Sequence, residues 1–182
     1  IDLYTAETTT AQLTARYGNS IVTVRSVVPG QEGHMKGSGF FVGKDGTVAT
    51  CHHVVENARG ITLEVNGQTF KAQIKSVDAA NDLALLKTEG VSLELIQPLP
   101  VAKSTQSLSL QSETLGIGYG GSNGLVVSPG KLQSVSFQFL KDSPSIGGDP
   151  AARLIALSAK SYSGNTGSPV FNALTGEVIG VH

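Results

Sequence analysis

Cysteine, tryptophan, methionine and charge are all scarce in this 182-residue chain. One cysteine, Cys51, has no partner for an internal disulfide, which excludes a disulfide-framed module and leaves the redox compartment open. Lys plus Arg number 13 against 14 Asp plus Glu, a net charge of −1 that lacks the basic excess needed to grip a polyanion. Nucleic acid is therefore not an expected partner. No apolar run approaches the roughly 18 residues that span a bilayer, and no basic amphipathic stretch suggests attachment to a membrane surface. Only 15% of residues are charged while 40% are hydrophobic, which argues against disorder. On a prior of one domain per roughly 150 residues, the length suits one unit with a sizeable core, or two small ones sharing it. The chain begins at Ile1 rather than Met, so residues upstream have been cleaved or lie outside the sequence, a lost export signal among the candidates.

What is plentiful is glycine, 22 residues, punctuating short β-branched runs. Thr8-Thr9-Thr10 offers a hydroxyl N-cap to a short helix over 11–17, and Gly18 stops it. Strand-like runs come next at 20–28, 38–42, 47–50, 61–65, 70–77 and 83–87, separated by turn residues. Asn66-Gly67 is a strong type I′ hairpin signal, because both central residues must accept positive φ. Pro98 and Pro100 interrupt the rhythm, placing a boundary near 98–107. It resumes at 114–119, 125–127, 131–139, 153–159, 169–171 and 178–181, with exposed loops expected at 121–124 and 142–149. Two sets of short strands predict an all-β chain of two small antiparallel barrels or a sandwich.

Two signals look chemical without being so. Gly116-Ile117-Gly118-Tyr119-Gly120-Gly121 matches a dinucleotide fingerprint, but a turn and another strand come after it instead of the helix N-terminus that would hold a pyrophosphate. His34, His52, His53 and His182 show no zinc-ligand spacing, and His52 and His53 on an extended segment are expected to face opposite ways.

Three separated segments carry the functional argument. Gly37-Ser38-Gly39-Phe40 leads through Thr50-Cys51-His52-His53-Val54-Val55, a strand, a turn and a second strand ending at a histidine. Asn81-Asp82-Leu83-Ala84-Leu85-Leu86-Lys87 puts an acid at the mouth of an apolar strand. Gly164-Asn165-Thr166-Gly167-Ser168-Pro169 is a glycine-flanked hydroxyl loop. Alone, a single Asp or His in such a place is more often a cap or turn residue than a catalyst.

In this order the three resemble the trypsin-like serine peptidases, most closely the HtrA (Deg) branch, which lacks disulfides. The resemblance runs from about residue 20 to the end, and the spacings of 29 and 84 residues between 53, 82 and 166 suit it. It implies two antiparallel six-stranded β-barrels with a short N-terminal helix. The first barrel covers about 18–98, the linker about 98–107 and the second about 108–182, its last strand beyond His182. It implies His53 as general base, Asp82 as the carboxylate fixing its tautomer, and Thr166 in the nucleophile position. The N–H groups of Gly164 and Thr166 would form the oxyanion hole, and Lys160, Ser161, Tyr162 and Ser163 a wall of the substrate pocket. Lys160 there is either a charge-preference residue or an exposed loop lysine. No metal or cofactor is implied. The expected substrates are polypeptides, unfolded proteins among them, and a periplasmic or secreted location is favoured over the cytoplasm.

Threonine stands at position 166 where the family has serine. The extra methyl restricts χ1, and a hydroxyl misplaced by ~1 Å costs roughly 100-fold in rate. A deliberate Ser→Thr replacement, a natural chain of weak or lost activity, and a working threonine variant all fit the sequence. Cys51 is expected to be a small buried hydrophobe. Asn165, standing just before the nucleophile position, cannot ion-pair with a new N-terminal Ile, which disfavours trypsin-type zymogen activation. The rival functional class is a non-catalytic peptide-binding module that keeps the cleft, and a further alternative is an unrelated β-sandwich.

Overall fold

Short alternating runs cut by glycine and asparagine turns favour antiparallel pairing. In the computed structural model, which describes residues 6–104, 108–120, 124–137 and 154–182, they pair that way. Strands β1 (Ile21–Val27), β2 (Met35–Phe41), β3 (Thr47–Cys51), β4 (Gly60–Val65), β5 (Gln68–Asp78) and β6 (Leu83–Thr88) close into an antiparallel barrel in the order β1-β2-β3-β6-β5-β4. β3 is buried along its whole length, whereas β4 alternates buried with more open positions, as expected of strands with two and one covered faces. Val22, Val24, Phe41, Val48, Leu63 and Leu86 fill the barrel interior. The β4–β5 turn is the expected one, with φ of 50° at Asn66 and 77° at Gly67.

The second half comprises β7 (Glu113–Tyr119), β8 (Leu125–Phe137), β9 (Leu154–Leu157), β10 (Pro169–Asn172) and β11 (Val178–Val181), a five-stranded sheet ordered β11-β10-β7-β8-β9. The runs read as two strands at 125–127 and 131–139 are one strand. Pro129 is tolerated inside it because the paired ladder with β9 begins only at Leu132, so the missing N–H at 129 breaks no ladder bond on that side. The glycine-rich segment at 116–121 is strand then turn: β7 ends at Tyr119 and the chain returns in β8. Of the two expected loops, 121–123 and 142–149 lie outside the described residues.

Helix α1 (Ala6–Tyr17) begins five residues before the expected start and passes into a 3₁₀ turn at Gly18–Ser20. Its Leu13 and Tyr17 are buried in a second apolar cluster with Ile21, Phe40 and Ala49 from the barrel and Leu115, Ile117, Phe171 and Val178 from the sheet. Tyr17 stacks on Phe171 at 5.9 Å between ring centroids. This shared core joins the two halves.

One local expectation is corrected. His52 and His53 do not alternate along a strand, because β3 stops at Cys51, where its partner β6 begins at Leu83, and residues 52–55 form a single helical turn, α2 (His52–Val55). Successive residues there point about 100° apart rather than to opposite faces.

Phe171 is fully buried where both halves meet, so Phe171→Ala is expected to cost about 3–5 kcal/mol in denaturant unfolding. Leu174→Ala, at a side chain 92% exposed in the β10–β11 turn, should stay within about 0.5 kcal/mol. Equal effects would contradict a shared core.

Candidate active site

Strand register brings the acid to the base. β3 and β6 pair antiparallel with Cys51 opposite Leu83, so the residues just beyond that pair, His52 and Asp82, also meet. Asp82 sits in the left-handed region at φ 53°, which Asp tolerates better than most residues, and its N–H closes a tight turn onto the Ala79 carbonyl at 3.3 Å. Its carbonyl accepts the His52 N–H at 3.0 Å. Its carboxylate accepts the His53 N–H through Oδ1 at 2.8 Å and pairs through Oδ2 with His53 Nδ1 at 2.5 Å. An ionised carboxylate only accepts, so neutral His53 carries its hydrogen on Nδ1 and its lone pair on Nε2. A carboxylate in this role is expected to be buried. In the structure the Asp82 side chain is instead 32% exposed and that of His53 51%, the pair lying at the mouth of the barrel.

Beneath this pair lies Cys51, buried as expected. Its thiol donates to the His182 carbonyl at 3.3 Å. Burial above all, and then the adjacent Asp82 charge, push the thiol up to about 12, so it stays protonated at neutral pH. Cys51, His53 and Asp82 place ligand-type atoms within 4.8 Å of one another. Two ligands on one zinc, each about 2.0–2.2 Å from it, sit about 3 Å or more apart. The 2.5 Å separation of Nδ1 and Oδ2 suits a shared proton instead.

The 164–169 loop approaches from the other half. Asn165 N–H bonds to the Tyr162 carbonyl at 3.0 Å, Ser168 N–H to the Asn165 carbonyl at 2.9 Å and Gly167 N–H to the His182 carbonyl at 2.7 Å. Gly164 and Gly167 have φ of 94° and 91°, and a Cβ on Gly167 would lie 2.1 Å from the Ser38 carbonyl, so only glycine fits there. A Cβ on Gly37 would lie 2.8 Å from the Thr166 carbonyl and 3.0 Å from the Val54 side chain, so the loop and the turn carrying His53 meet over this glycine.

Among the described residues, the N–H groups of Gly164 and Thr166 donate to no acceptor, while those of Asn165, Gly167 and Ser168 are all engaged. The Thr166 hydroxyl likewise makes no hydrogen bond among the described residues. Lys160, Ser161, Tyr162 and Ser163 are exposed beside the loop, with Tyr162 Cβ 3.4 Å from where a Cβ on Gly120 would stand.

Sequence reasoning does not find Ser38, whose N–H donates to the Thr166 carbonyl at 2.7 Å. Nor does it find the His182 backbone, which accepts from both Gly167 and Cys51. For Ser38 a signal exists: it stands between two glycines, where backbones can approach closely.

Two measurements check this arrangement. Cys51 in the native chain should react with iodoacetamide at pH 8 on the order of a thousandfold more slowly than after denaturation, since its thiolate fraction is that much smaller than for an ordinary thiol. Equal rates would mean the thiol is not buried against a carboxylate. Gly167→Ala should abolish the loop geometry, seen as lost amide signals or altered shifts for residues 164–168, while the β1–β6 barrel signals persist.

The profile of the Trypsin-like peptidase domain matches residues 37–181. Among curated proteins, HhoB of Synechocystis is 33% identical over 150 residues, 80% of this chain and 33% of that protein. A DegP-like periplasmic serine endoprotease of Halomonas elongata is 31% identical over 162 residues, 85% of this chain and 31% of that protein. The chain thus spans about a third of the length of these relatives. The crystal structure of the Rv3671c protease from Mycobacterium tuberculosis, active form, superimposes with a TM-score of 0.79 at 24% identity, over 96% of this chain and 74% of that one. This likeness concerns the fold. With the family profile covering most of its length and HtrA/Deg proteins among its relatives, the chain belongs to the trypsin-like peptidase family.

Proposed function

We propose that the chain is the peptidase domain of an HtrA-type endopeptidase, hydrolysing peptide bonds in polypeptides through an acyl-enzyme. The observation that carries this reading is the His53–Asp82 pair, held by the 2.5 Å side-chain bond and the 2.8 Å bond from the His53 backbone, with Nε2 left as the free nitrogen. In this reading Nε2 takes the proton from the Thr166 hydroxyl as that oxygen attacks the scissile carbonyl. Asp82 stabilises the imidazolium that forms, and the proton then passes to the leaving amine. Water repeats the sequence to release the acyl group. The N–H groups of Gly164 and Thr166, uncommitted among the described residues, support their assignment as donors to the tetrahedral oxyanion, because an unoccupied donor next to committed neighbours is what such a hole requires.

Lys160, Ser161, Tyr162 and Ser163 form the proposed pocket wall. Lys160 is exposed, which favours the reading of a solvated loop lysine over a buried charge selector. Unfolded polypeptides are the proposed substrates, since a half-exposed base and a partly exposed acid suit an extended chain lying across the cleft. The proposed division of labour puts acid and base on a first unit over about 18–98 and the hydroxyl on a second over about 108–182. A periplasmic or secreted location is in keeping with the naming of the Halomonas relative.

A second reading has its own observation. The Thr166 hydroxyl makes no hydrogen bond among the described residues, and its β-methyl limits where it can turn. That favours a peptide-binding module with an attenuated or silent nucleophile. Casein hydrolysis and fluorophosphonate labelling of this chain and of Thr166→Ser decide between them. The proposal expects Thr166→Ser to raise turnover about 100-fold, the rate equivalent of removing a displacement near 1 Å. If Thr166→Ser neither cleaves nor labels, while a peptide still binds, the binding module stands instead.

A further inference from the structure

We infer that Ser38 is a positioning residue, a hydroxyl on the barrel that aims the backbone amides of the 164–169 loop. The inference rests on the catalytic reading above for its kinetic consequence, though not for its geometry. Ser38 is fully buried on β2 and uses every polar atom it has. Its N–H donates to the Thr166 carbonyl at 2.7 Å, and its Oγ donates to the Gly164 carbonyl at 2.8 Å. The same Oγ accepts the Tyr119 N–H from β7 at 2.9 Å, and its carbonyl accepts the Thr50 hydroxyl from β3 at 2.7 Å. A single residue therefore ties the barrel, the second sheet and the loop together.

Peptide planarity turns these contacts into direction. The Gly164 carbonyl belongs to the unit joining residues 164 and 165, and the Thr166 carbonyl to the unit joining 166 and 167. Ser38 holds both. Between them lies one unit, 165–166, and it carries the Thr166 N–H. Because each unit is a rigid plane, fixing the two flanking planes leaves the amide between them little freedom to rotate. The Gly164 N–H lies on the other side of the Gly164 Cα from the held carbonyl, across the backbone angles of a glycine whose φ is 94°. These are the two amides without an acceptor among the described residues.

Space around Ser38 is closed as well. A Cβ on Gly118 would come within 3.0 Å of Ser38 Oγ, and one on Gly167 within 2.1 Å of the Ser38 carbonyl. The two glycines leave the room that Ser38 needs, and its hydroxyl is directed by its bonds to Gly164 and Tyr119. Removing it leaves the Gly164 carbonyl and the Tyr119 N–H each short of a partner, and Ser38 then holds the loop through its backbone N–H alone, while the bond from Gly167 to the His182 carbonyl remains.

The test has two independent readouts. In the otherwise unmodified chain, Ser38→Ala should lower the backbone order parameters of residues 164–167 from about 0.85 to below about 0.6, with the β1–β6 barrel unchanged. In the Thr166→Ser background, Ser38→Ala should reduce kcat on a peptide ester about 100-fold. KM should stay within about twofold and the shape of the pH profile should be retained, since the His53–Asp82 pair is untouched. Ser38→Thr, which keeps the hydroxyl, should restore kcat to within about tenfold; if it does not fold, Ser38→Cys, which keeps a weaker donor, should fall between serine and alanine. Unchanged order parameters, or a kcat that holds while only Tm falls, would overturn the assignment. If Thr166→Ser with Ser38 intact neither turns over the ester nor labels with fluorophosphonate, the catalytic reading falls, and the order parameters alone decide the role of Ser38.

Discussion

The pairing of β3 with β6 is the constraint on which the site depends. With Cys51 opposite Leu83, the first residues past the ladder on each strand are His52 and Asp82, and the acid and base meet without any long-range folding event between them. A slip of one residue would carry the side chains of β6 to the other face of the sheet and take Asp82 away from His53. The register is guarded by burial: Val48 and Leu86, paired across the two strands, are both fully enclosed in the barrel. Apolar packing thus sets the separation of two polar groups, and hydrogen bonding only refines it.

The contrasting environments of the groups around Asp82 are a matter of depth. Cys51, one residue earlier than the helical turn, faces inward and is held protonated by burial and by the neighbouring negative charge. His53, two residues later, faces out and is half exposed. An inert thiol and an accessible imidazole flank the same carboxylate, and the difference between them is which side of the barrel wall each side chain takes. The loop from the second half then closes over the first at Gly37, where the absence of a side chain leaves room for the Thr166 carbonyl.

Much of this is legible in the sequence, for identifiable reasons. The Asn66-Gly67 turn and the barrel strands have residue-level signatures, whereas the pairing of His53 with Asp82, 29 residues apart, is legible only through the resemblance of the three segments taken together. The glycine-rich match at 116–121 fails as a nucleotide site on the same local grounds, since the chain turns from β7 straight into β8 with no helix between them. The turn at 52–55 is not legible, since a strand ends where its partner ends, and β6 begins only at Leu83. Nor is the fusion of two expected strands into β8, because the tolerance of Pro129 depends on how far the neighbouring strand extends. The partial exposure of Asp82 escapes sequence reasoning because distance from the barrel rim has no pattern along the chain. Ser38 escapes it because its partner Gly164 lies 126 residues away.

That last separation has a consequence for the order in which the site is assembled. The acid–base pair spans 29 residues and needs only the first barrel. Docking of the loop on Ser38 spans 126 and waits for the second sheet, a closure that costs about 1 kcal/mol more than one over 29 residues and slows folding. During synthesis from the N-terminus, half of the relay is assembled while the remainder is still unmade. A nascent or partly melted molecule therefore holds the His53–Asp82 pair before the 164–169 loop has docked, and under the proposed function competence would arrive only with the most distant contacts, an ordering written into the chain alone.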